Sequence, residues 1–126
     1  MTPSQKIKYL ILLKLIEWGE FTLNEEVTSD NVDSLYDEAS ENDSFSDAVE
    51  EVRVCGVETN LECEYSRHYE STAVADKLPD GSWVGWTYWY GGGKHGEPSA
   101  IGWISDAYDV KCVEEEKLVV VRNFSN

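Results

Sequence analysis

The side chains with the clearest chemical potential are carboxylates, and they are concentrated in one segment. Residues 29–51 contain nine Asp and Glu side chains and no Lys, Arg or His. Ionised carboxylates at this density attract cations and positively charged protein surfaces. We therefore predict a partner-binding acidic surface made of Asp30, Asp33, Asp37, Glu38, Glu41, Asp43, Asp47, Glu50 and Glu51.

The spacing of these carboxylates favours a repeating charge pattern. Asp30, Asp33, Asp37 and Glu41 are three or four residues apart, which on a helix places neighbours roughly 5–6 Å from each other. In duplex DNA, each strand presents one phosphate per roughly 3.4 Å of helix axis. The segment also forgoes Glu–Lys helix pairs, each of which stabilises by roughly 0.2–0.5 kcal/mol. The hypothesis is a DNA mimic that occupies the basic groove of a nucleic-acid-binding protein.

The acidic segment is also compatible with a purely solvating role or with adaptation to salt. A solvated outer helix face is the commonest fate of a charge run, and a high-salt habitat also favours acidic surfaces. A calcium site is not indicated, because an EF-hand loop needs alternating Asp or Asn ligands around a central Gly, and residues 30–33 and 41–43 lack both. We predict no metal site and no cofactor.

The aromatic stretch GSWVGWTYWYGGGKHGEP, residues 81–98, is the alternative candidate site. On this hypothesis the chain is a small-ligand or peptide binding module. Trp83, Trp86 and Trp89 of an aromatic strand 83–90 would stack on the ligand, and the acids would serve only solubility. Lys94 and His95 of the Gly-rich loop 91–96 would supply polar contacts. That loop lacks the G-x-x-x-x-G-K-[ST] spacing of a phosphate-binding loop.

Catalytic chemistry is weakly indicated. Cys55, Cys63 and Cys112 show no C-x-x-C spacing and no finger-like pattern with the two His residues, so we predict that they are reduced, buried thiols of a cytoplasmic protein. His95 with a nearby carboxylate is the one remaining arrangement for a hydrolase. We predict no catalytic residue and a non-enzymatic role.

Length and charge narrow the function classes further. A chain of 126 residues with a net charge of −15 is long enough for one domain with a modest core. Such a charge argues against nucleic acid or an anionic membrane as a direct ligand and favours a basic protein as partner. Lys14 interrupts the apolar run KIKYLILLKLIEWG, which therefore indicates neither a signal peptide nor a membrane span.

The elements that would position these residues are helices first and strands afterwards. Thr2, Pro3 and Gln5 favour a capping box at the start of a core helix that runs to about Trp18. Apolar residues at helical spacing predict a second helix over about 30–39. A short third helix follows, with Phe45, Ala48, Val49 and Val52 on its inner face. Residues 1–54 are thus predicted to be helical and acidic.

Residues 55–126 are predicted to be β-rich and aromatic. Alternation predicts a strand over 61–66, and the Leu78-Pro79-Asp80-Gly81 turn predicts a hairpin over 69–90. Beyond it we predict a short helix over 98–108 and a last hairpin that pairs 110–113 with 117–124. The fold class is therefore α+β, with about three N-terminal helices packed on a mostly antiparallel sheet of four to five strands, in a single domain 1–126.

The C-terminal half carries a resemblance. The run Trp86–Gly96, followed by Ile101-x-Trp103 and Ala107-Tyr108, resembles small uncharacterised proteins carried by phages and prophages. The resemblance covers roughly residues 80–124 and excludes the acidic half. It implies a mobile-element origin and no catalytic residue. Small acidic proteins that imitate DNA to block host defence nucleases are a recognised strategy in that setting. By analogy, the resemblance favours the DNA-mimic hypothesis, with a host nucleic-acid-binding or defence protein as partner.

Overall fold

The computed structural model describes residues 1–63, 69–91, 101–115 and 122–125. Its elements in chain order are α1 (Pro3–Glu17), α2 (Val32–Ala39), α3 (Phe45–Cys55), β1 (Val57–Glu58), β2 (Glu70–Lys77), β3 (Trp83–Tyr90) and β4 (Tyr108–Val110). The four strands form one antiparallel sheet in the order β1-β2-β3-β4. Three helices followed by an antiparallel sheet confirm the predicted α+β class.

Helix α1 is the central element of the helical layer, as its almost uniformly apolar sequence predicts. Its capping box is formed: the Thr2 hydroxyl accepts a hydrogen bond from the Gln5 backbone N–H, and the Gln5 side-chain oxygen accepts one from the Thr2 backbone N–H. Gly19, with φ of 73°, ends the helix in a conformation that favours glycine. Ile7, Ile11 and Leu15 are fully buried in the core.

The β2–β3 hairpin is the framework of the sheet and follows the sequence prediction. Gly81, with φ of 90°, sits in the turn, and the Asp80 carboxylate accepts hydrogen bonds from the Ser82 amide and hydroxyl at 2.8 and 2.6 Å. Strand β3 turns Val84 and Trp86 toward the helices, and both are fully buried. Residues 84 and 86 therefore join the two layers into one core.

The opposite face of the sheet carries small residues beside Trp83, Trp89 and Tyr108. Ala73 and Ala75 of β2 and Gly85 of β3 are buried there. A Cβ atom on Gly85 would lie 2.5 Å from the Tyr108 ring and 2.6 Å from a methyl group of Val110. Glycine at position 85 is therefore what lets the β4 side chains approach the sheet so closely.

The second helix is shorter than predicted. It begins at Val32 rather than near Asp30, whereas its end at Ala39 is as predicted. The late start has a local cause. The Asn31 side-chain oxygen accepts a hydrogen bond from the Thr28 backbone N–H at 2.7 Å, and the Thr28 hydroxyl accepts one from the Asp30 backbone N–H at 3.2 Å. These side chains form a turn that competes with the helix. The predicted row of four acids on one helix is thus reduced to Asp33 and Asp37.

Two predictions in the β-rich half are wrong within the described residues. Residues 61–63 form no strand, and the first strand is Val57–Glu58 instead. The Thr59 hydroxyl accepts from the Leu61 amide at 3.2 Å, which turns the chain after β1. The helix predicted over 98–108 is replaced over 101–107 by turns that place Trp103 against the Trp86 ring, with centroids 5.6 Å apart.

The last predicted hairpin is tested only in part. Residues 111–115 form no strand, and the extended pairing there is limited to β4. Residues 64–66, 98–100 and 117–121 of the predicted elements lie outside the described residues.

Candidate protein-binding surface

The nine carboxylates of segment 29–51 all lie on the protein surface. We call them the acidic face, and each is exposed to solvent: Asp30, Asp33, Asp37, Glu38, Glu41, Asp43, Asp47, Glu50 and Glu51. They belong to α2, α3 and the turns that flank these helices. The structure therefore leaves every one of these predicted site residues accessible.

Helix α2 presents its acids because its apolar side chains point inward. Val32, Leu35 and Ala39 are buried, so Asp37 and Glu38 fall on the outer side of the helix. Asp33 lies beside α1. Its carboxylate accepts hydrogen bonds from the Lys8 ammonium at 2.8 Å and from the Gln5 side-chain amide at 3.0 Å. These two hydrogen bonds lower the pKa of Asp33.

Helix α3 presents a second row of carboxylates. Ala48 and Val52 are buried against the core, whereas Asp47, Glu50 and Glu51 are exposed. Glu50 and Glu51 follow Asp47 by three and four residues, which on a helix brings their side chains to roughly 5–6 Å from it. Asp47 also lies in the first turn, where the helix dipole favours negative charge.

The two acidic helices are neighbours. The Tyr36 ring of α2 meets the Phe45 ring of α3 edge to face, with centroids 5.1 Å apart. In the turn between them, the Asn42 side chain donates to the Glu20 carbonyl at 2.7 Å and accepts from the Ser44 amide at 2.7 Å. Both helices also pack on α1. Packed rings and a bonded turn hold the two rows of carboxylates on adjoining elements.

Arg53 fixes α3 to the sheet, and sequence reasoning missed it. Its guanidinium donates to the Glu50 carboxylate at 2.9 and 2.6 Å and to the Trp89 carbonyl at 2.8 Å, although the residue is only 8% exposed. The guanidinium also lies 5.0 Å from the centre of the Tyr88 ring. The same Glu50 hydrogen bonds raise the pKa of Arg53 and lower that of Glu50. Its position three residues after Glu50 was the available signal.

Most of the acidic face keeps its charge uncompensated. Among the described residues, only Asp33 and Glu50 of the nine form ion pairs, with Lys8 and Arg53. The remaining seven carboxylates form no ion pair within the described residues, although the Lys14 and Glu51 charges are near enough to interact. The three lysines of α1 pair instead with Asp33, Asp109 and Glu17. A positively charged partner is therefore free to approach the outer sides of α2 and α3.

The aromatic residues of the alternative site are mostly in the core. Trp86 has no exposed surface, and its indole N–H donates to the Arg53 carbonyl at 3.1 Å. Trp89 is 8% exposed. Trp83 is half-buried and lines a groove of about 300 Å³ together with Val57, Leu61 and Val110. Lys94 and His95 lie outside the described residues.

Other kinds of site receive no support from the described part of the chain. It contains no group of three or more His, Cys, Asp or Glu side chains that could hold a metal ion. The prediction of buried thiols is wrong, because Cys55, Cys63 and Cys112 are all free and exposed. Among the same residues, no helix combines the length and apolar character that crossing a bilayer requires. Comparison of the chain with protein-family models, with curated proteins and with solved structures found no match.

Proposed function

We propose that this chain is a non-enzymatic interaction protein whose acidic face occupies the basic groove of a nucleic-acid-binding protein, as a mimic of DNA. One observation supports this most strongly. All nine carboxylates of the acidic face are exposed, and seven of them have no cation partner among the described residues.

The physical argument is electrostatic. A groove built for nucleic acid carries Lys and Arg side chains that neutralise phosphates, and a surface of closely spaced carboxylates offers the same groove an alternative set of anions. Complementary charge speeds association at low salt and is screened as salt rises. Because α2 and α3 are packed on α1 and on each other, little conformational entropy is lost on binding.

The partner class follows from the resemblance of residues 80–124 to phage and prophage proteins. A chain of mobile-element origin acts inside a bacterial cell, where defence nucleases and other DNA-binding proteins carry the basic grooves in question. We therefore propose a bacterial nucleic-acid-binding or defence protein as the partner.

The test compares two variants of equal net charge. The first reverses three unpaired acids of the acidic face (Asp37→Lys, Asp47→Lys and Glu51→Lys). The matched control reverses three exposed acids elsewhere that form no ion pair within the described chain (Glu58→Lys, Asp106→Lys and Glu115→Lys). Immobilised wild-type protein should retain nucleic-acid-binding proteins from a bacterial lysate at low salt, and added duplex DNA should release them.

The control variant should retain the same proteins, and the first variant should lose them. If both variants lose or keep these proteins equally, net charge rather than the acidic face governs binding, and the proposal is wrong.

The groove at Trp83 supports a second candidate, a small-ligand or peptide binding module. Its lining combines a half-buried indole with exposed Val57 and Leu61, which suits an apolar or aromatic group. Trp emission, recorded while nucleosides and short apolar peptides are added, should shift in the wild type and not in Trp83→Phe. Identical responses of the two proteins would remove this candidate.

A further inference from the structure

Strand β3 ends in two tyrosines that lie beside the acidic face. The rings of Tyr88 and Tyr90 are stacked, with centroids 5.4 Å apart and an interplanar angle of 23°. Tyr90 is 36% exposed. Arg53 connects this pair to the acidic face, because its guanidinium lies over Tyr88 and bonds the Glu50 carboxylate. The tyrosine pair is therefore continuous with the surface that we propose as the partner-binding site.

Arg53 shows how this corner of the protein holds a guanidinium. The planar group packs on the Tyr88 ring at 5.0 Å, and two of its nitrogens bond the Glu50 carboxylate at 2.9 and 2.6 Å. A tyrosine ring and a carboxylate can also hold an ammonium, as Tyr36 and Asp33 hold Lys8 at 5.2 and 2.8 Å. Guanidinium gains more from such a site, because it is planar, stacks on the ring and donates through a fixed fork.

The same combination occurs a second time at the surface. Glu70 of β2 is directly opposite Tyr90 of β3 in the antiparallel register, and side chains of such a pair lie on the same face with Cβ atoms roughly 4.5–5.5 Å apart. Both residues are exposed. Within the described residues Glu70 forms no ion pair, and the cation over the tyrosine stack is Arg53, on the Tyr88 ring.

We propose that Tyr90 and Glu70 form a binding site for an arginine side chain of the partner protein. The guanidinium stacks on the exposed side of the Tyr90 ring and pairs with the Glu70 carboxylate, as Arg53 does with Tyr88 and Glu50. The inference rests on the proposed function, since the arginine belongs to the basic groove that the acidic face engages. The Tyr90–Glu70 site adds a preference for arginine over lysine. Carboxylates alone provide such a preference only weakly.

The test measures that preference with two probes. A short arginine-rich peptide and a lysine-rich peptide of equal length and charge are titrated into the full chain by calorimetry at low salt. The wild type should bind the arginine peptide about two- to fivefold more tightly, the factor expected of one exposed cation–π contact. Tyr90→Leu should lower this ratio toward one and leave the affinity for the lysine peptide unchanged.

Three further variants keep the test decisive. Tyr90→Phe retains the ring and should retain the preference. Glu70→Gln should lower the ratio, whereas Glu58→Gln, a change at another exposed and unpaired glutamate of the sheet within the described residues, should not. If Tyr90→Leu does not fold by circular dichroism, Glu70→Gln decides. Equal wild-type affinities for the two peptides, or a preference that survives the decisive variant, would overturn the inference.

The two proposals fail in different ways. Charge reversal at Asp37, Asp47 and Glu51 should lower the affinities for both peptides by the same factor and leave the ratio of the two affinities unchanged. If this variant binds both peptides as the wild type does while Tyr90→Leu removes the preference, the arginine site stands and the acidic face does not.

Discussion

Replacement of Arg53 by Met tests how the acidic helix α3 is held against the sheet. Arg53 is 8% exposed and donates a hydrogen bond to the Trp89 carbonyl at 2.8 Å, in addition to its contacts with Glu50 and Tyr88. Methionine keeps much of the apolar stem and removes every polar contact of the guanidinium. The change therefore isolates those contacts, which couple α3 to β3.

The magnitude follows from three contributions. A hydrogen bond from a charged donor is worth roughly 1.5–3 kcal/mol, and the contact with the Tyr88 ring adds about 0.5–1 kcal/mol. The pair with Glu50, whose side chain is 48% exposed, adds only about 0.2–1 kcal/mol. Relief of the desolvation of a buried charge offsets part of this sum, so we expect a net loss of about 2–3 kcal/mol in the free energy of unfolding.

The assay is urea denaturation followed by far-UV circular dichroism, with thermal melting as a second readout. An unfolding entropy of about 2.1 cal/mol/K per residue gives about 0.26 kcal/mol/K for 126 residues, so the melting temperature should fall by about 8–12 °C. Arg122→Met, a change at an exposed arginine, is the matched control and should have no effect. A loss below about 0.5 kcal/mol for Arg53→Met, or an equal loss in the control, would show that the guanidinium does not couple α3 to β3.

Two remaining predictions concern acid stability and sheet packing. Hydrogen bonds from Lys8 and Gln5 lower the pKa of Asp33 below its usual value of 3.8, so Asp33 contributes stability above that value and loses it as the pH falls through the lowered pKa. The wild type should therefore be more stable than Asp33→Asn above about pH 5, and this difference should vanish well below 3.8; a difference independent of pH in denaturation curves would contradict the assignment. A Cβ at position 85 would lie 2.5 Å from the Tyr108 ring, so Gly85→Ala should cost about 1–3 kcal/mol by overpacking and speed amide exchange in β4. Unchanged exchange there would show that Tyr108 does not pack on Gly85.

The parts of the fold predicted from sequence are those fixed by local chemistry. The capping box at Thr2 and Gln5, the stop at Gly19 and the hairpin turn at Gly81 each depend on residues close in the chain, and all three formed as predicted. Exposure of the acids on α3 also followed from helical spacing, because Ala48 and Val52 had to face the core.

The parts that escaped prediction depend on contacts between distant residues. Arg53 bonds the Trp89 carbonyl, 36 residues away, and Asp33 bonds Lys8, 25 residues away; no local pattern specifies either pair. Trp103 lies in a turn rather than in the predicted helix and packs against Trp86 of β3, a contact between distant elements that no local pattern specifies. The arginine site at Tyr90 likewise depends on the register that places Glu70 opposite it.

If the acidic face is a mimic of DNA, it and a DNA duplex compete for one groove of the partner, and a displacement titration measures this competition. A nucleic-acid-binding protein recovered on the wild-type chain is loaded with a fluorescent DNA duplex, and anisotropy is followed as the chain is added at several salt concentrations. We expect full displacement of the duplex at low salt and an affinity of the chain for its partner that falls steeply as salt rises. A duplex that stays bound while the chain is also bound to the same protein would contradict this competition.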